Sequence, residues 1–219
     1  MMRWALVALL SLPTVAAAAP RKDFPCKGCL LEARTTKSPL LIVLHGDGQN
    51  AAAMAPVWTK PAAAHKVSLL LAECPKDLGC KDSFWKWNGD PKWLDGLVDT
   101  IAKDYAIDAD RVWLAGWSGG ASYLGMRAFE LSNRFAAMTI NGGGMSPSTA
   151  CPKRVLPTYF LVGDQNPYHQ YAIDIRESVT KCKGEVVWDA RKAQGHPGEW
   201  TALVKDADKI LAWLEAHPR

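Results

Sequence analysis

The sequence predicts an α/β domain: a mostly parallel central sheet with helices on both faces. Continuous apolar runs recur along the chain, the pattern of strands buried on both sides. Stretches of helical period separate them, so strand and helix alternate as in sheets joined by crossover connections. No repeat, low-complexity tract or linker interrupts the alternation, which leaves one domain over residues 19–219.

The elements follow in order. A short strand is expected around residues 30–35. PLLIVLH (39–45) is the first buried strand and leads to a helix over 51–65; VSLLLAE (67–73) leads to a helix over 93–105. RVWLAG (111–116) runs into a helix over 119–131, and AAMTIN (136–141) into a loop. PTYFLVG (157–163) precedes a helix over 168–180, and GEVVWDA (184–190) precedes the last, over 199–216.

Composition bounds the function. Of 219 residues 48% are hydrophobic and 22% charged, an ordinary globular mix. A formal net charge of +4, with no clustered basic face, argues against a nucleic-acid partner. The opening MMRWALVALLSLPTVAAAAP has one cationic residue, a short apolar core and a small-residue cleavage site. It reads as a signal peptide over 1–18 rather than a membrane span, with a permanent anchor as the alternative. No later segment is long and apolar enough to span a bilayer, so a secreted or periplasmic location is expected. Six cysteines follow the leader, an even number that suits disulfides in an exported chain. Local spacing pairs Cys74 with Cys80 and Cys151 with Cys182, leaving Cys26 and Cys29 to join across CKGC. A zinc site lacks a second ligand pair at suitable spacing, so no metal is expected.

The chemistry concentrates in LAGWSGGASYLG (114–125). Gly116-x-Ser118-x-Gly120 falls where an apolar strand ends and a helix begins. A very tight strand–turn–helix needs residues without Cβ beside the serine, and it lifts the hydroxyl to the positive end of the helix. This is the nucleophile elbow of α/β-hydrolases. The loop after PLLIVL, His45-Gly46-Asp47-Gly48-Gln49, then supplies one backbone N–H to an oxyanion hole and the residue after the nucleophile supplies the other, which points to Asp47 and Gly119. His45 is read as a residue that fixes the loop. A phosphate-binding loop is excluded, because neither the Walker lysine nor the G-x-G-x-x-G spacing is present.

In this fold the nucleophile, acid and histidine come in that order. His45 and His65 precede Ser118, His217 ends the chain, and His169 sits too near the expected acid loop. His196, in AQGHPGEW after the last strand, is therefore the general base. The acid is expected after PTYFLV, where Asp164 is the lone carboxylate. Asn166 is the alternative, able to orient an imidazole but not to neutralise an imidazolium, and Asp189 is a third choice.

The chain resembles secreted α/β-hydrolase esterases related to feruloyl esterases and polyhydroxybutyrate depolymerases. The matching stretches are LIVLHGDGQNA (41–51), residues 85–125 with the elbow, and GHPGEW (195–200). The resemblance implies a Ser–His–acid triad, no cofactor and ester hydrolysis in the periplasm or medium. It also places the acid three residues after the strand-ending glycine, and that position holds Asn166.

With only residues 142–156 between two strands there is no room for a lid domain, so an open groove for small-molecule or polymeric esters is expected. Trp117, Trp85 and Trp87 are candidates to touch substrate, since tryptophan offers flat apolar area with a polar N–H; core packing is the competing role. The function expected is a serine esterase acting on acyl or aryl esters, including feruloyl or acetyl groups on polysaccharide and hydroxyalkanoate polyesters. A non-catalytic binding protein and an acyltransferase or peptidase on the same fold are the alternatives.

Overall fold

The computed structural model describes residues 18–85 and 89–219. The expected leader lies almost wholly outside these residues, and Trp87 lies outside them too. Among the described residues eight strands form one sheet: β1 (Arg21–Lys22), β2 (Leu30–Glu32), β3 (Ser38–Leu44), β4 (Ser68–Ala72), β5 (Ile107–Trp117), β6 (Met138–Asn141), β7 (Thr158–Gly163) and β8 (Val186–Arg191). Their order is β1-β2-β4-β3-β5-β6-β7-β8. β4, β3, β5, β6, β7 and β8 are mutually parallel, while β1 and β2 add an antiparallel edge.

Among the described residues five α-helices cover the sheet: α1 (Ala55–Ala64), α2 (Lys92–Asp104), α3 (Gly119–Leu131), α4 (His169–Lys181) and α5 (His196–Glu215). Successive strand residues point to opposite faces, so each buried run feeds two cores. Leu40, Ile42, Leu44 and Leu114 pack with α2, α3 and α4. Leu41, Val43, Trp113 and Ala115 pack with α1 and α5. The continuously apolar runs of β3 and β5 are thus strands sandwiched between helices.

Among the boundaries that differ from the sequence reading are the starts of β5 and α5. β5 begins at Ile107, four residues early, because its first half reaches the exposed N-terminal end of the sheet and carries no apolar run. α5 begins at His196 rather than 199, with a proline in its first turn. Proline is tolerated there, since its missing N–H has no helical partner to lose. Three disulfides join Cys26 to Cys29, Cys74 to Cys80 and Cys151 to Cys182, the expected pairs. Among the described residues no helix is long and apolar enough to cross a membrane.

The register assembles the site. Leu44 pairs with Gly116 and Trp117 with Asn141, so the loops after β3, β5 and β6 leave the same edge side by side. The loops after β7 and β8 complete the rim at the carboxyl ends of the strands, where open parallel sheets gather their ligand sites.

Candidate active site

Ser118 links β5 to α3 with φ 51° and ψ −112°, a conformation that side chains rarely adopt. The neighbouring glycines permit it. A Cβ on Gly116 would come within 2.6 Å of the Ala121 backbone, and one on Gly120 within 2.6 Å of the carbonyl oxygens of Leu44 and His45. The Gly120 N–H donates to the His45 carbonyl at 3.1 Å, tying the elbow to the loop after β3. Ser118 itself opens onto a cleft of about 340 Å³, whose wall includes Asp47, Gly119, Phe84, Tyr168 and Tyr171.

His196 reaches Ser118 from the first turn of α5. Its Nε2 lies 3.0 Å from the serine Oγ, and its Nδ1 lies 2.9 Å from Glu199 Oε2. A carboxylate can only accept, so Nδ1 carries the proton and Nε2 presents its lone pair to the serine hydroxyl. That is the tautomer a general base needs. His196 and Glu199 stand three residues apart on one helix, which puts both side chains on one face. Trp117 stacks flat on the imidazole, with ring centroids 4.5 Å apart and planes 3° from parallel.

The carboxylate that meets the imidazole is therefore Glu199, not Asp164. Asp164 is exposed at the start of the loop after β7, with its backbone N–H bound to the Arg191 carbonyl. Asp189 is engaged elsewhere, accepting from the Tyr159 hydroxyl and from Arg191. Glu199 has no exposed surface, and a buried carboxylate must be fully bonded. Its Oε1 accepts the Gly163 N–H at 2.5 Å, while Oε2 accepts from His196 and, at 2.5 Å, from Asn166 Nδ2. The Asn166 amide is oriented without ambiguity, because its Oδ1 accepts the Tyr168 N–H at 2.8 Å. Asn166 thus holds the Glu199 carboxylate and carries no charge of its own, and its Nδ2 also lies 3.3 Å from His196 Nδ1.

The loop after β3 is fixed by His45 and Asp47. Buried His45 donates from Nδ1 to the Gly46 carbonyl at 2.8 Å and accepts the Cys74 N–H on Nε2 at 3.2 Å. This double use requires the neutral ring, and burial lowers its pKa accordingly. Asp47 Oδ1 accepts the Trp85 N–H at 3.0 Å, and burial raises the pKa of its carboxyl. Among the described residues neither the Asp47 nor the Gly119 backbone N–H has a hydrogen-bond partner.

Two aromatic expectations are corrected. Trp117 is buried and packs on His196 and Trp200, so it backs the imidazole. Trp85 is buried, donates its indole N–H to the His45 carbonyl at 2.7 Å and stacks with Trp93. Among the described residues, the aromatic side chains that border the cleft are Phe84, Tyr168 and Tyr171, about half exposed. Their signal in sequence is only proximity to the loops, because exposure depends on packing that no local pattern encodes.

No family model matches the chain. The bifunctional acetylxylan esterase/xylanase XynS20E of Neocallimastix patriciarum is 27% identical over 138 residues, which are 61% of this chain and 20% of that protein. The chain thus matches about a fifth of the length of that relative. Among solved structures, S-formylglutathione hydrolase FrmB from Staphylococcus aureus superposes with a TM-score of 0.63 at 11% identity, covering 85% of this chain and 89% of the other. A ferulic acid esterase gives 0.64 at 13% identity, covering 85% and 90%. Sheet order, elbow and these superpositions agree: the chain has the α/β-hydrolase fold.

Proposed function

We propose that the chain is a secreted serine carboxylic ester hydrolase that works through an acyl-enzyme. The observation that carries this is the unbroken hydrogen-bonded series Ser118–His196–Glu199 at the elbow. His196 Nε2 takes the Ser118 hydroxyl proton as Oγ bonds to the ester carbonyl carbon. The Asp47 and Gly119 N–H groups receive the oxyanion, and Glu199 stabilises the imidazolium. The carbon–oxygen bond to the alcohol then breaks, and His196 returns its proton to the leaving oxygen. Water repeats the sequence: it loses a proton to His196, attacks the acyl carbon and frees Ser118 with release of the acid.

The reading as a binding protein rests on Asn166 at the expected acid position, and the presence of Glu199 removes its motive. On the substrate side, the Tyr168 and Tyr171 rings stack with centroids 6.2 Å apart, and Phe84 adds a third apolar surface beside Ser118. Such a wall suits the acyl or aryl part of an ester, in line with the ferulic acid esterase and acetylxylan esterase among similar proteins. Export is supported by the leader and by three disulfides.

Turnover of p-nitrophenyl acetate by the mature protein beside a Ser118→Ala control tests the reading. Wild type is expected to exceed the variant by at least about 10³-fold; equal turnover removes the esterase assignment. Tyr171→Ala is then expected to raise KM for methyl ferulate several-fold more than for the acetyl ester, and equal changes would remove the aromatic wall from recognition.

A further inference from the structure

The triad acid can be placed at either of two positions that meet in space, residue 199 on α5 and residue 166 in the loop after β7. Asn166 Nδ2 lies 3.3 Å from His196 Nδ1 and 2.5 Å from Glu199 Oε2, so a side-chain oxygen at 166 would stand within hydrogen-bond reach of the imidazole N–H. Asn166 is 5% exposed and Glu199 fully buried, so the pair has no water to share a second charge with. Two carboxylates at this separation cannot both ionise, whereas an amide beside a carboxylate adds a donor and no charge.

We propose that Asn166 is a positioning residue that locks Glu199 onto His196 in a two-position acid site holding a single negative charge, and that this charge can be moved to residue 166 by exchanging the two side chains. The inference rests on the reading of Ser118 and His196 as nucleophile and base. In the exchanged pair, N166D/E199Q, the polarity of one hydrogen bond reverses. The amide NH₂ now at position 199 donates to the carboxylate now at position 166, whose other oxygen still accepts the Tyr168 N–H. The amide oxygen at 199 continues to accept from Gly163. E199Q alone has no such solution, because its amide must turn the NH₂ either toward the donors of His196 and Asn166 or toward the Gly163 N–H. The exchange has two costs: the NH₂ at 199 replaces the oxygen that met His196 Nδ1–H at 2.9 Å, so the ring N–H must turn to the carboxylate at 166, and the Gly142 carbonyl, 3.3 Å from Asn166 Nδ2, loses that donor, so recovery is partial.

The test is the second-order rate at which a fluorophosphonate labels Ser118, which requires an activated serine but no particular ester. Thermal melts establish folding for each variant. E199Q is expected to label at least about 10²-fold more slowly than wild type, and N166D/E199Q at least tenfold faster than E199Q. The same comparison between E199A and N166D/E199A covers the case in which a glutamine variant fails to fold. A folded double variant no faster than its single-variant parent overturns the proposal, as does an E199Q that labels like wild type. Wild type that labels but turns over no ester leaves the two-position acid standing and removes the esterase reading; wild type that never labels removes both.

Discussion

At the scale of single residues, the site depends on side chains that are missing as much as on those present. Ser118 keeps its positive φ only because the backbone on both sides can come closer than any Cβ allows. Gly120→Ala is expected to lower stability by about 1–3 kcal/mol through overpacking against the Leu44 and His45 carbonyls, read from the urea midpoint. Because the clash lies in the elbow itself, activity should fall even in the folded fraction. Trp117 stacks on His196. A charged imidazole over an indole face gains roughly 0.5–2 kcal/mol, and the imidazolium exists only while the reaction proceeds. Trp117→Leu is therefore expected to lower kcat about 3–30-fold with KM nearly unchanged. A rise in KM at constant kcat would instead assign the ring to substrate. Asp47 bears on the loop after β3 through its carboxylate, since Oδ1 anchors that loop to the Trp85 N–H. Asp47→Ala should cost about tenfold in kcat/KM, and Asp47→Asn, which keeps an acceptor, clearly less; equal losses would mean that the anchor is irrelevant.

At the scale of elements, the strands, the elbow and His196 are legible because each has a local signature: an apolar run, a glycine pattern and a position in the chain. The acid has none. Pro197-Gly198 reads as a loop, which makes Glu199 the first residue of a helix and hides its alignment with His196. In the structure the proline occupies the first turn, the helix starts three residues earlier, and the two side chains share a face. Asp164 attracts the assignment by being the carboxylate in the usual loop, and only the fold reveals that it turns to solvent. Trp117 and Trp85 mislead for a related reason, since a loop indole carries no mark of which face of the loop it covers. A second feature of α5 lies at its far end. His65, just after α1, meets Glu215 at 2.6 Å and Asp208 at 3.2 Å. Burial alone would lower the His65 pKa, but the two carboxylates outweigh it and raise it. A histidine whose folded pKa is raised stabilises the fold fully below its unfolded value of about 6.5, and the contribution fades as pH climbs through the folded one. Melting temperature should therefore decline from about pH 6 to pH 8.5, and His65→Gln should flatten that decline; an unchanged slope would show that the clamp between α1 and α5 carries no linkage.

For the whole molecule, the disulfides divide stability from function by where they lie. Cys151–Cys182 spans 31 residues and ties the loop after β6 to the end of α4, and neither cysteine takes part in the hydrogen bonds that hold the loop after β3. Cys74–Cys80 spans only 6, but the Cys74 N–H is the donor to His45 Nε2, and the Cys74 segment packs beside Phe84 and Trp85. If a crosslink acts mainly by restricting the unfolded chain, the longer loop contributes about 3–4 kcal/mol and the shorter about 2. In a chain of this size that difference is visible, since each kcal/mol moves the melting temperature by roughly 2–4 °C. Replacing Cys151 and Cys182 together by serine is thus expected to lower the melting temperature by roughly 10 °C with kcat/KM almost intact. The same change at Cys74 and Cys80 should lower the melting temperature less and kcat/KM more, because it loosens the loop that presents the Asp47 N–H. Mild reduction with dithiothreitol, followed by melting and esterase assays on the two double-serine proteins, separates the effects. If both pairs shift stability and activity in the same proportion, the oxyanion loop is held by its own hydrogen bonds, and the Cys74–Cys80 bridge has no part in shaping it.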